Sequence, residues 1–449
     1  MSKTVKIRKG ANIPLSGSAE KVKGEATFAS SFAIKPTDFH GLIPKLVVKQ
    51  GAEVKAGSVL FYDKYNEHVK FVSPVSGEVA EVVRGEKRKI LEVRIVADSN
   101  QAAETFDVSD VSTGEKVKQA LLAAGYWPFI KQRPYDVIAD PKDTPKSIFV
   151  SGFDSAPLGP DYDFALHGQN ADFQKGIDAL KTMTNGAVHL STRPGGAADT
   201  VFGAASGVEK NTFSGPHPAG NVGIQIHHID PVNKGERVWA INAQAVAMIG
   251  RFLNSGKADF SKTIALAGSQ VEKPRYFTTH IGASAKSIVD GKLVDGDNRV
   301  ISGNPLTGSN VGVDGYLGFY DDVVSVLPEG KEPQFLGWIA PNFNKFSLSR
   351  SYFSWLMPKK GGYALNTSMN GEDRAFVVSG EYENVLPMDI YPVYLLKAIM
   401  TKDIEKMENL GIYEIAPEDM ALCEYACTSK IEVQNIVRSG IDLAIQELG

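Results

Sequence analysis

The feature that most constrains the fold is an alternation of strand, loop, helix and strand in the middle of the chain. Ser147–Ser151 (SIFVS) is a short apolar run, Phe173–Met183 has helical spacing, and Ala187–Leu190 is a second apolar run. This order predicts a parallel sheet covered by helices, because parallel neighbours need a crossover connection that usually contains a helix. A helix predicted over Ala240–Leu253 closes the unit. We assign residues 101–258 to this Rossmann-like α/β domain.

The loop after the first of these strands does not have the composition of a nucleotide site. A phosphate site needs a glycine-rich loop directly after a strand, where backbone amides can approach the phosphate. The sequence contains neither G-x-G-x-x-G nor G-x-x-x-x-G-K-[ST], and Gly152–Asp163 reads GFDSAPLGPDYD. The acidic residues of this loop would repel a phosphate.

The N-terminal part has a different pattern. Val47–Val96 consists of short β-like runs separated by glycine turns. The pattern resembles biotinyl and lipoyl carrier domains, which bear a modified lysine at a hairpin tip. Counting back from Pro74 by the spacing of those domains gives Asn66, with Lys64 and Lys70 on either side. We therefore expect the carrier shape without a carried group.

The whole chain is predicted to be multidomain, with α/β and α+β parts. Its 449 residues correspond to about three domains by length alone. We assign residues 1–100 to a lipoyl/biotinyl-like barrel-sandwich domain. Residues 259–330, which start with the strand-like run Lys262–Gly268, are assigned to a small β-grasp module. Residues 331–449 are predicted to be a β-rich block followed by helices.

Two patterns support the C-terminal assignment. Phe335–Val378 is aromatic and strand-like, whereas the tail from Tyr391 is helical. The last predicted helix is amphipathic and is marked by Ile436, Ile441, Ile445 and Leu448.

Composition excludes several classes of protein. The net charge of −4 and the lack of a basic stripe argue against a nucleic-acid surface. The start of the chain has no apolar segment of the signal-peptide type. The longest apolar stretch, Ala240–Leu253, is interrupted by polar residues and is shorter than the ~20 residues that cross a bilayer. We therefore expect a chain that is soluble by itself.

The two cysteines, Cys423 and Cys427, do not suggest a disulfide scaffold, and they favour a reducing compartment. Four residues apart on a helix, they would share one face. Two thiolates cannot complete a zinc or iron–sulfur site, which needs four ligands. The sequence predicts core residues here and no metal site.

Phe213–Val232 holds three of the eight histidines, His217, His227 and His228, in a frame of glycine and proline. Because proline fixes φ and glycine permits unusual φ values, this backbone is specified in detail. It either presents side chains to a ligand or partner, or it is a rigid loop whose histidines bond to the backbone. The spacing matches no metal motif.

A second candidate segment is GYWPFIKQRPYD, which begins at Gly125. Trp127 and Phe129 lie in it close to Lys131 and Arg133. Such a cluster either lines a pocket for a flat ring or forms the edge of the core.

Several strings, in this order along the chain, resemble one family over nearly its full length, that of the A subunit of the sodium-translocating NADH:quinone reductase (the NqrA family). They are Ser214–Gly220 (SGPHPAG), Arg299–Gly308, Gly337-Trp338, Asn344–Ser347 (NKFS) and Leu422–Cys427. This family is similar in turn to the C subunit of the Rnf electron-transfer complex and to the flavin-binding subunit of complex I. The resemblance implies that the β-grasp module is of the SLBB (soluble-ligand-binding β-grasp) type.

The sequence departs from those more distant relatives at three places. They carry a glycine-rich FMN loop, an acidic segment and a cysteine cluster. The corresponding residues are Gly125–Pro134, which has lost the glycines, Ser151–Pro157, which reads SGFDSAP, and Leu422–Lys430, which keeps two cysteines. The resemblance thus implies a chain that binds no cofactor itself. FMN, FAD, riboflavin and iron–sulfur centres would belong to partner subunits, and quinone would be the substrate.

The resemblance also implies a location and partners. The chain would be a peripheral subunit on the cytoplasmic side of the bacterial inner membrane, docked on the membrane-embedded B subunit of a six-subunit reductase that exports Na⁺. It would reach the membrane only through partners and perform no catalysis alone. Two alternatives are a stand-alone flavin-dependent NADH dehydrogenase, which would need bound FMN, and a lipoyl or biotin carrier, which would need a modified lysine.

A quinone needs an apolar slot and one or two hydrogen-bond donors near its carbonyl oxygens. Our hypothesis for the exposed quinone or partner face combines three histidines, one arginine and two aromatic residues. They are Trp127, Phe129, Arg193, His217, His227 and His228.

Overall fold

We describe the fold from a computed structural model that covers residues 2–25, 28–331, 335–337 and 342–448. Within these ranges the strands, β1 to β20 in chain order, are Thr4–Lys6, Glu20–Lys23, Ser31–Ile34, Pro44–Leu46, Glu53–Val54, Val59–Asp63, Asn66–Val72, Gly77–Arg84, Ile90–Ala97, Lys131–Arg133, Val137–Ile138, Ile148–Ser151, Val188–Thr192, Glu209–Ser214, Val238–Asn242, Ser261–Ala267, Arg275–His280, Asn298–Ser302, Ser309–Asn310 and Val323–Pro328.

The α-helices of the same ranges are α1 to α12. Their bounds are Gly114–Ala124, Tyr162–Ala165, Asn170–Thr182, Val201–Ala204, Val222–Ile229, Ala243–Ser255, Ala285–Val289, Glu381–Val385, Pro392–Met400, Ile404–Asn409, Ala421–Ala426 and Val433–Leu448.

A seven-stranded sheet in the order β1-β14-β13-β12-β15-β10-β11 forms the α/β part. Its five strands from β1 to β15 are parallel, and β10 and β11 add an antiparallel edge. This confirms the parallel sheet predicted from the alternation. The sequence also predicts a helix over Gly114–Ala124, because Val117, Leu121 and Leu122 fall on one face and Gly125 stands at the C-cap position. Helix α1 has these bounds, and Gly125 ends it at φ 76°, a left-handed conformation that glycine adopts without strain.

Helices α3 and α6 pack against each other at glycine contacts. A Cβ added to Gly250 would lie 1.7 Å from the carbonyl oxygen of Asp172, and one added to Gly176 would lie 2.1 Å from that of Val246. Both distances are far below van der Waals contact, so only glycine allows this approach of the two backbones.

The helix predicted over Ala240–Leu253 is wrong at its start. Ala240–Asn242 belongs to β15, and the helix begins at Ala243. The run Val238–Ile241 is continuously apolar, as is typical of a parallel strand buried on both faces. Asn242 then caps the helix, because its side chain accepts a hydrogen bond from the backbone N–H of Gln244.

The N-terminal barrel-sandwich shape is confirmed. Its two sheets have the orders β3-β9-β8-β5 and β4-β6-β7. The hairpin of β6 and β7 turns at Lys64 and Tyr65, and Asn66 is the first residue of β7.

The β-grasp module is also confirmed. Its six-stranded sheet has the order β19-β18-β20-β16-β17-β2, with β16 and β20 parallel at the centre. The predicted divisions near residues 100, 258 and 330 remain a prediction. Two N-terminal strands nevertheless pair outside the barrel-sandwich: β1 extends the α/β sheet and β2 extends the β-grasp sheet.

The predicted β-rich block is wrong for the described part of residues 335–378, which contains no strand. Its described backbone is mostly irregular, with a few turns and one short 3₁₀ helix, Phe353–Trp355. Aromatic residues there are separated by serine, asparagine and glycine, so no alternating apolar face extends far enough to pair. Trp338 lies outside the described residues.

The predicted C-terminal helices are present. The last one, α12, buries Val433, Val437, Ile441 and Ala444. These helices form an apolar core that includes Phe213 of β14 and Ile224 of α5. The C-terminal part is therefore attached to the α/β sheet beside the histidine segment.

Candidate functional site

A cavity of about 230 Å³ opens at the carboxyl ends of β12 and β15. In the sheet, β12 lies between β13 and β15. The chain therefore runs from β12 to β13 on one side and later returns to β15 on the other side. This reversal of strand order is the place where open α/β sheets bind ligands. The cavity is lined by the α/β sheet, by the β-grasp module and by Glu418 of the C-terminal part.

One side of the cavity is aromatic. The rings of Phe129 and Phe319 stack with centroids 4.5 Å apart. Tyr320 packs beside Phe319 at 5.0 Å and donates a hydrogen bond to the carbonyl oxygen of Pro128 at 2.7 Å. The ammonium group of Lys131 lies 4.4 Å from the Tyr320 ring centre, a cation–π distance. This wall can hold a flat ring.

His217 lies in the wall and is 3% exposed. Its Nδ1 is 3.0 Å from Ser155 Oγ, and the same oxygen accepts the backbone N–H of Gly220 at 2.8 Å. Ser155 Oγ has no other acceptor within reach in the described residues, so we assign its hydrogen to the bond with Nδ1, and this assignment places the ring hydrogen on Nε2. Burial lowers the pKa of His217 to about 4, so the ring is neutral at physiological pH.

The Nε2 atom of His217 is buried and has no hydrogen-bond partner in the described part of the chain. A buried donor without a partner costs about 1–3 kcal/mol. A ligand that brings an acceptor oxygen to this atom would recover that cost.

A polar network also lines the cavity. Asn242 Nδ2 donates to Tyr162 Oη at 2.8 Å and to Asp322 Oδ2 at 2.9 Å, and the Tyr162 hydroxyl donates to Asp322 Oδ2 at 3.1 Å. Lys262 Nζ lies 2.9 Å from Asp322 Oδ1, and both side chains are almost fully buried. The charge of Asp322 is thus compensated within the protein.

Arg133 occupies the boundary with the C-terminal helices. Its guanidinium contacts Asp419 at 3.1 Å, Glu418 at 2.7 Å and Asp136 at 3.7 Å. Burial raises the pKa of Asp419 although Arg133 opposes the rise. Burial also opposes ionisation of Asp136, but Lys131 and Arg133 outweigh it and lower the pKa of that carboxyl.

The cavity residues do not fit a phosphate-bearing flavin or nucleotide. Asp154 stands in the loop after β12, where a phosphate-binding loop would place glycine amides. Burial raises the pKa of Asp154 to about 6, so this group is ionised at pH 7. The nearby cations Arg133 and Lys262 are already paired with carboxylates.

The structure separates the predicted site residues. Phe129 and His217 both line the cavity. Trp127 is fully buried, donates from Nε1 to the carbonyl oxygen of Ala139 at 2.7 Å and packs edge-on against Trp239, so it is a core residue. Arg193 is exposed and donates to the Asp154 carbonyl oxygen at 3.0 Å.

The other two histidines are half-buried and hydrogen-bonded within the protein. His227 Nδ1 lies 2.6 Å from Glu414 Oε2, and its Nε2 accepts the backbone N–H of Asp389 at 3.0 Å. His228 Nδ1 donates to the carbonyl oxygen of Ile224 at 2.9 Å. The prediction of one exposed face is therefore wrong, because burial and strand direction divide these residues. Their role at a quinone or partner site stays a prediction.

Sequence reasoning missed most of the cavity. Ser155, Tyr162 and Asn242 follow the ends of β12 and β15, and that position was a usable signal because strand ends in a parallel sheet share one edge. Phe319 and Asp322 come from the β-grasp module, and no local pattern placed them here.

In the described part of the chain no group of three or more histidine, cysteine or acidic residues could hold a metal. Cys423 and Cys427 are free and buried, and burial raises the pKa of the Cys423 thiol. Among the described helices, none combines the length and apolarity required to span a bilayer.

Three family models match the sequence. They are the NqrA N-terminal barrel-sandwich hybrid domain over residues 5–98, the NqrA second alpha/beta domain over residues 112–258, and the NQRA C-terminal domain, of SLBB type, over residues 263–312.

Curated relatives match along the full length. The A subunit of the Na(+)-translocating NADH-quinone reductase of Neisseria meningitidis serogroup C is 37% identical over 448 residues, which are 99% of this chain and 100% of the relative. The corresponding protein of a Marinomonas species is 37% identical over 98% of this chain and 99% of the relative. That of Serratia proteamaculans is 36% identical over 99% and 100%.

A solved structure of an NAD⁺-reducing [NiFe]-hydrogenase in the air-oxidized state is more distantly similar. It has 12% identity and a TM-score of 0.38, and the match covers 75% of this chain and 62% of that one. Similarity at this level says nothing about activity.

Proposed function

Because this chain belongs to the NqrA family, the A subunits of the Na(+)-translocating NADH-quinone reductase, we propose that it supports quinone reduction in that complex as a peripheral subunit without a prosthetic group of its own. It would dock on the membrane-embedded B subunit at the cytoplasmic side of the bacterial inner membrane. The flavins and iron–sulfur centres would lie in partner subunits, and sodium export would be a property of the assembly.

The observation that carries this proposal is the unpartnered Nε2 of neutral His217 in the wall of an aromatic cavity. A quinone has a flat ring and two carbonyl oxygens that accept hydrogen bonds. The stacked rings of Phe129 and Phe319 suit the ring, and the His217 donor suits one carbonyl oxygen. The chain would thus shape or support the quinone site, while electrons arrive from partner subunits.

The charges of the cavity favour a neutral ligand over a phosphorylated one. Asp154 and Glu418 line the cavity, and its buried cations are paired. A quinone head group has no charge to be repelled, whereas a flavin or dinucleotide phosphate would meet these carboxylates.

The test compares His217→Leu with His217→Gln in the assembled complex. Loss of one donor costs about 1–1.5 kcal/mol, so we expect the leucine variant to raise the KM for quinone about tenfold. Glutamine can still donate and should recover part of the loss. His68→Leu is the matched control, because His68 is an exposed histidine of β7 in the barrel-sandwich domain and does not line the cavity.

Unchanged quinone kinetics in His217→Leu, with the complex intact, would remove the cavity from the quinone site. A flavin band in the visible spectrum of the purified chain, or an intact mass above the sequence mass at a lysine, would instead support the dehydrogenase or the carrier alternative.

A further inference from the structure

Residues 342–362 carry a concentration of positive charge that contrasts with the rest of the protein. They contain Lys345, Arg350, Lys359 and Lys360 and no aspartate or glutamate, although the whole chain has a net charge of −4. We call this segment the basic–apolar surface.

The same segment exposes large apolar side chains. Trp355 is 51% exposed, Leu356 58% and Met357 70%. Phe343 and Phe353 are also exposed, and their ring centroids are 5.8 Å apart. Soluble proteins rarely leave such contiguous apolar groups in water, so a cluster of them marks a contact surface.

Buried anchors hold these side chains in their outward orientation. The Tyr352 hydroxyl donates to the carbonyl oxygen of Gly337 at 3.2 Å, and Ser354 Oγ donates to that of Lys345. The backbone N–H of Tyr363 donates to the carbonyl oxygen of Pro14 at 2.8 Å. Because Tyr352 and Ser354 are buried while Phe353 and Trp355 are exposed, the outward direction of the apolar residues is built into the loop.

Three of the four cations, Arg350, Lys359 and Lys360, are exposed and available to a partner, whereas Lys345 is half-buried and donates to the carbonyl oxygen of Gly337 at 3.1 Å. None of the four forms an ion pair with a carboxylate in the described part of the chain. Arg350 lies 6.0 Å from the ring centre of Trp355, and Lys359 lies 5.9 Å from that of Tyr363. Cations and apolar side chains therefore occupy one surface.

We propose that the basic–apolar surface binds the anionic surface of a lipid bilayer. Lysine and arginine would meet the lipid headgroups, and Trp355, Leu356 and Met357 would enter the boundary between headgroups and acyl chains. Tryptophan and lysine are the residues that favour this boundary, and uncompensated positive charge is attracted to anionic lipid. This contact goes beyond the proposed function, since it is additional to docking on a membrane protein and independent of the quinone cavity. It replaces the expectation from the sequence that the chain reaches the membrane only through partners.

The full-length chain can be sedimented with vesicles of phosphatidylglycerol and phosphatidylcholine in equal amounts, and with vesicles of phosphatidylcholine alone. We expect binding to the anionic vesicles only, and we expect salt to weaken it. A lysine near an anionic surface contributes about fivefold to binding, so Lys359→Glu with Lys360→Glu should lower vesicle affinity at least about 25-fold. Trp355→Ala should also weaken binding.

Matched controls are Lys87→Glu with Lys89→Glu, and Tyr65→Ala, which change exposed residues of the same kinds in the barrel-sandwich domain. These variants should bind vesicles like the unchanged chain. No binding of the unchanged chain to anionic vesicles, or equal losses in the controls, would overturn the proposal. If the chain ignores vesicles while Trp355→Ala weakens its retention in the assembled reductase, the surface docks on protein and the lipid proposal is wrong.

Discussion

Replacing Arg133 with methionine removes the cation that three carboxylates share between the α/β sheet and the C-terminal helices. The side chain of Arg133 is 2% exposed and that of Asp419 is fully buried. Removing one partner of a buried ion pair leaves an uncompensated charge and costs about 3–5 kcal/mol. We expect a loss of this size in the stability of the C-terminal helices.

The stability lost in Arg133→Met should depend on pH, and the ionisation of Asp419 determines the direction of that dependence. A carboxyl whose pKa is higher in the folded state binds more protons when folded, so the free energy of unfolding falls as pH rises through the window between its unfolded and folded pKa values. Burial already raises the pKa of Asp419, and Arg133 opposes that rise. Without Arg133 the folded pKa rises further. The difference between the variant and the unchanged protein should therefore be larger at about pH 8 than at about pH 5.

Hydrogen exchange of α9 and α12 is a suitable assay, because a chain of several domains need not unfold in one step. Arg438→Met is the matched control: Arg438 contacts Asp136 at 3.1 Å but is 22% exposed, against 2% for Arg133, so its loss should cost less than the loss of Arg133. The double variant Arg133→Met with Asp419→Asn should recover part of the loss. Equal costs for the two arginines, or no change with pH, would refute the reasoning.

Three further outcomes follow from local geometry. Gly250→Ala should destabilise the α3–α6 contact by about 3 kcal/mol in thermal unfolding, because the added Cβ would meet the Asp172 carbonyl oxygen. Gly196 has open space around it, so Gly196→Ala should change thermal unfolding little. The pKa of Asp154 is raised from 3.8 to about 6, so ionisation of this carboxyl opposes folding at higher pH. Asp154→Asn should therefore stabilise the protein by about 3 kcal/mol at pH 8 and not below about pH 4, which denaturant unfolding at both pH values measures. Cys423, which is buried with a raised pKa, should react with a thiol reagent only after unfolding, and a rapid reaction in the native chain would contradict the predicted core role.

Local pattern was sufficient where an element depends on its own residues. The helix Gly114–Ala124 follows from its apolar spacing and its terminal glycine, and the strand at Ser147–Ser151 follows from a short apolar run before a loop. Local pattern was insufficient for the described part of residues 335–378, where aromatic side chains serve as single anchors or stay exposed instead of forming a strand face.

The candidate site shows the same division. The sequence by itself indicated His217 and Phe129, because a glycine–proline frame and an aromatic cluster are visible without a fold. It also determined that the loop with Asp154 lacks the glycine motif of a phosphate-binding loop.

Only the tertiary structure decided which candidates meet. It placed Trp127 in the core, turned His227 towards Glu414, and brought Phe319 and Asp322 from the β-grasp module into the cavity. The physical reason is that side-chain direction and burial depend on contacts between residues far apart in the chain. A pattern of neighbouring residues carries no information about which distant surface will cover them.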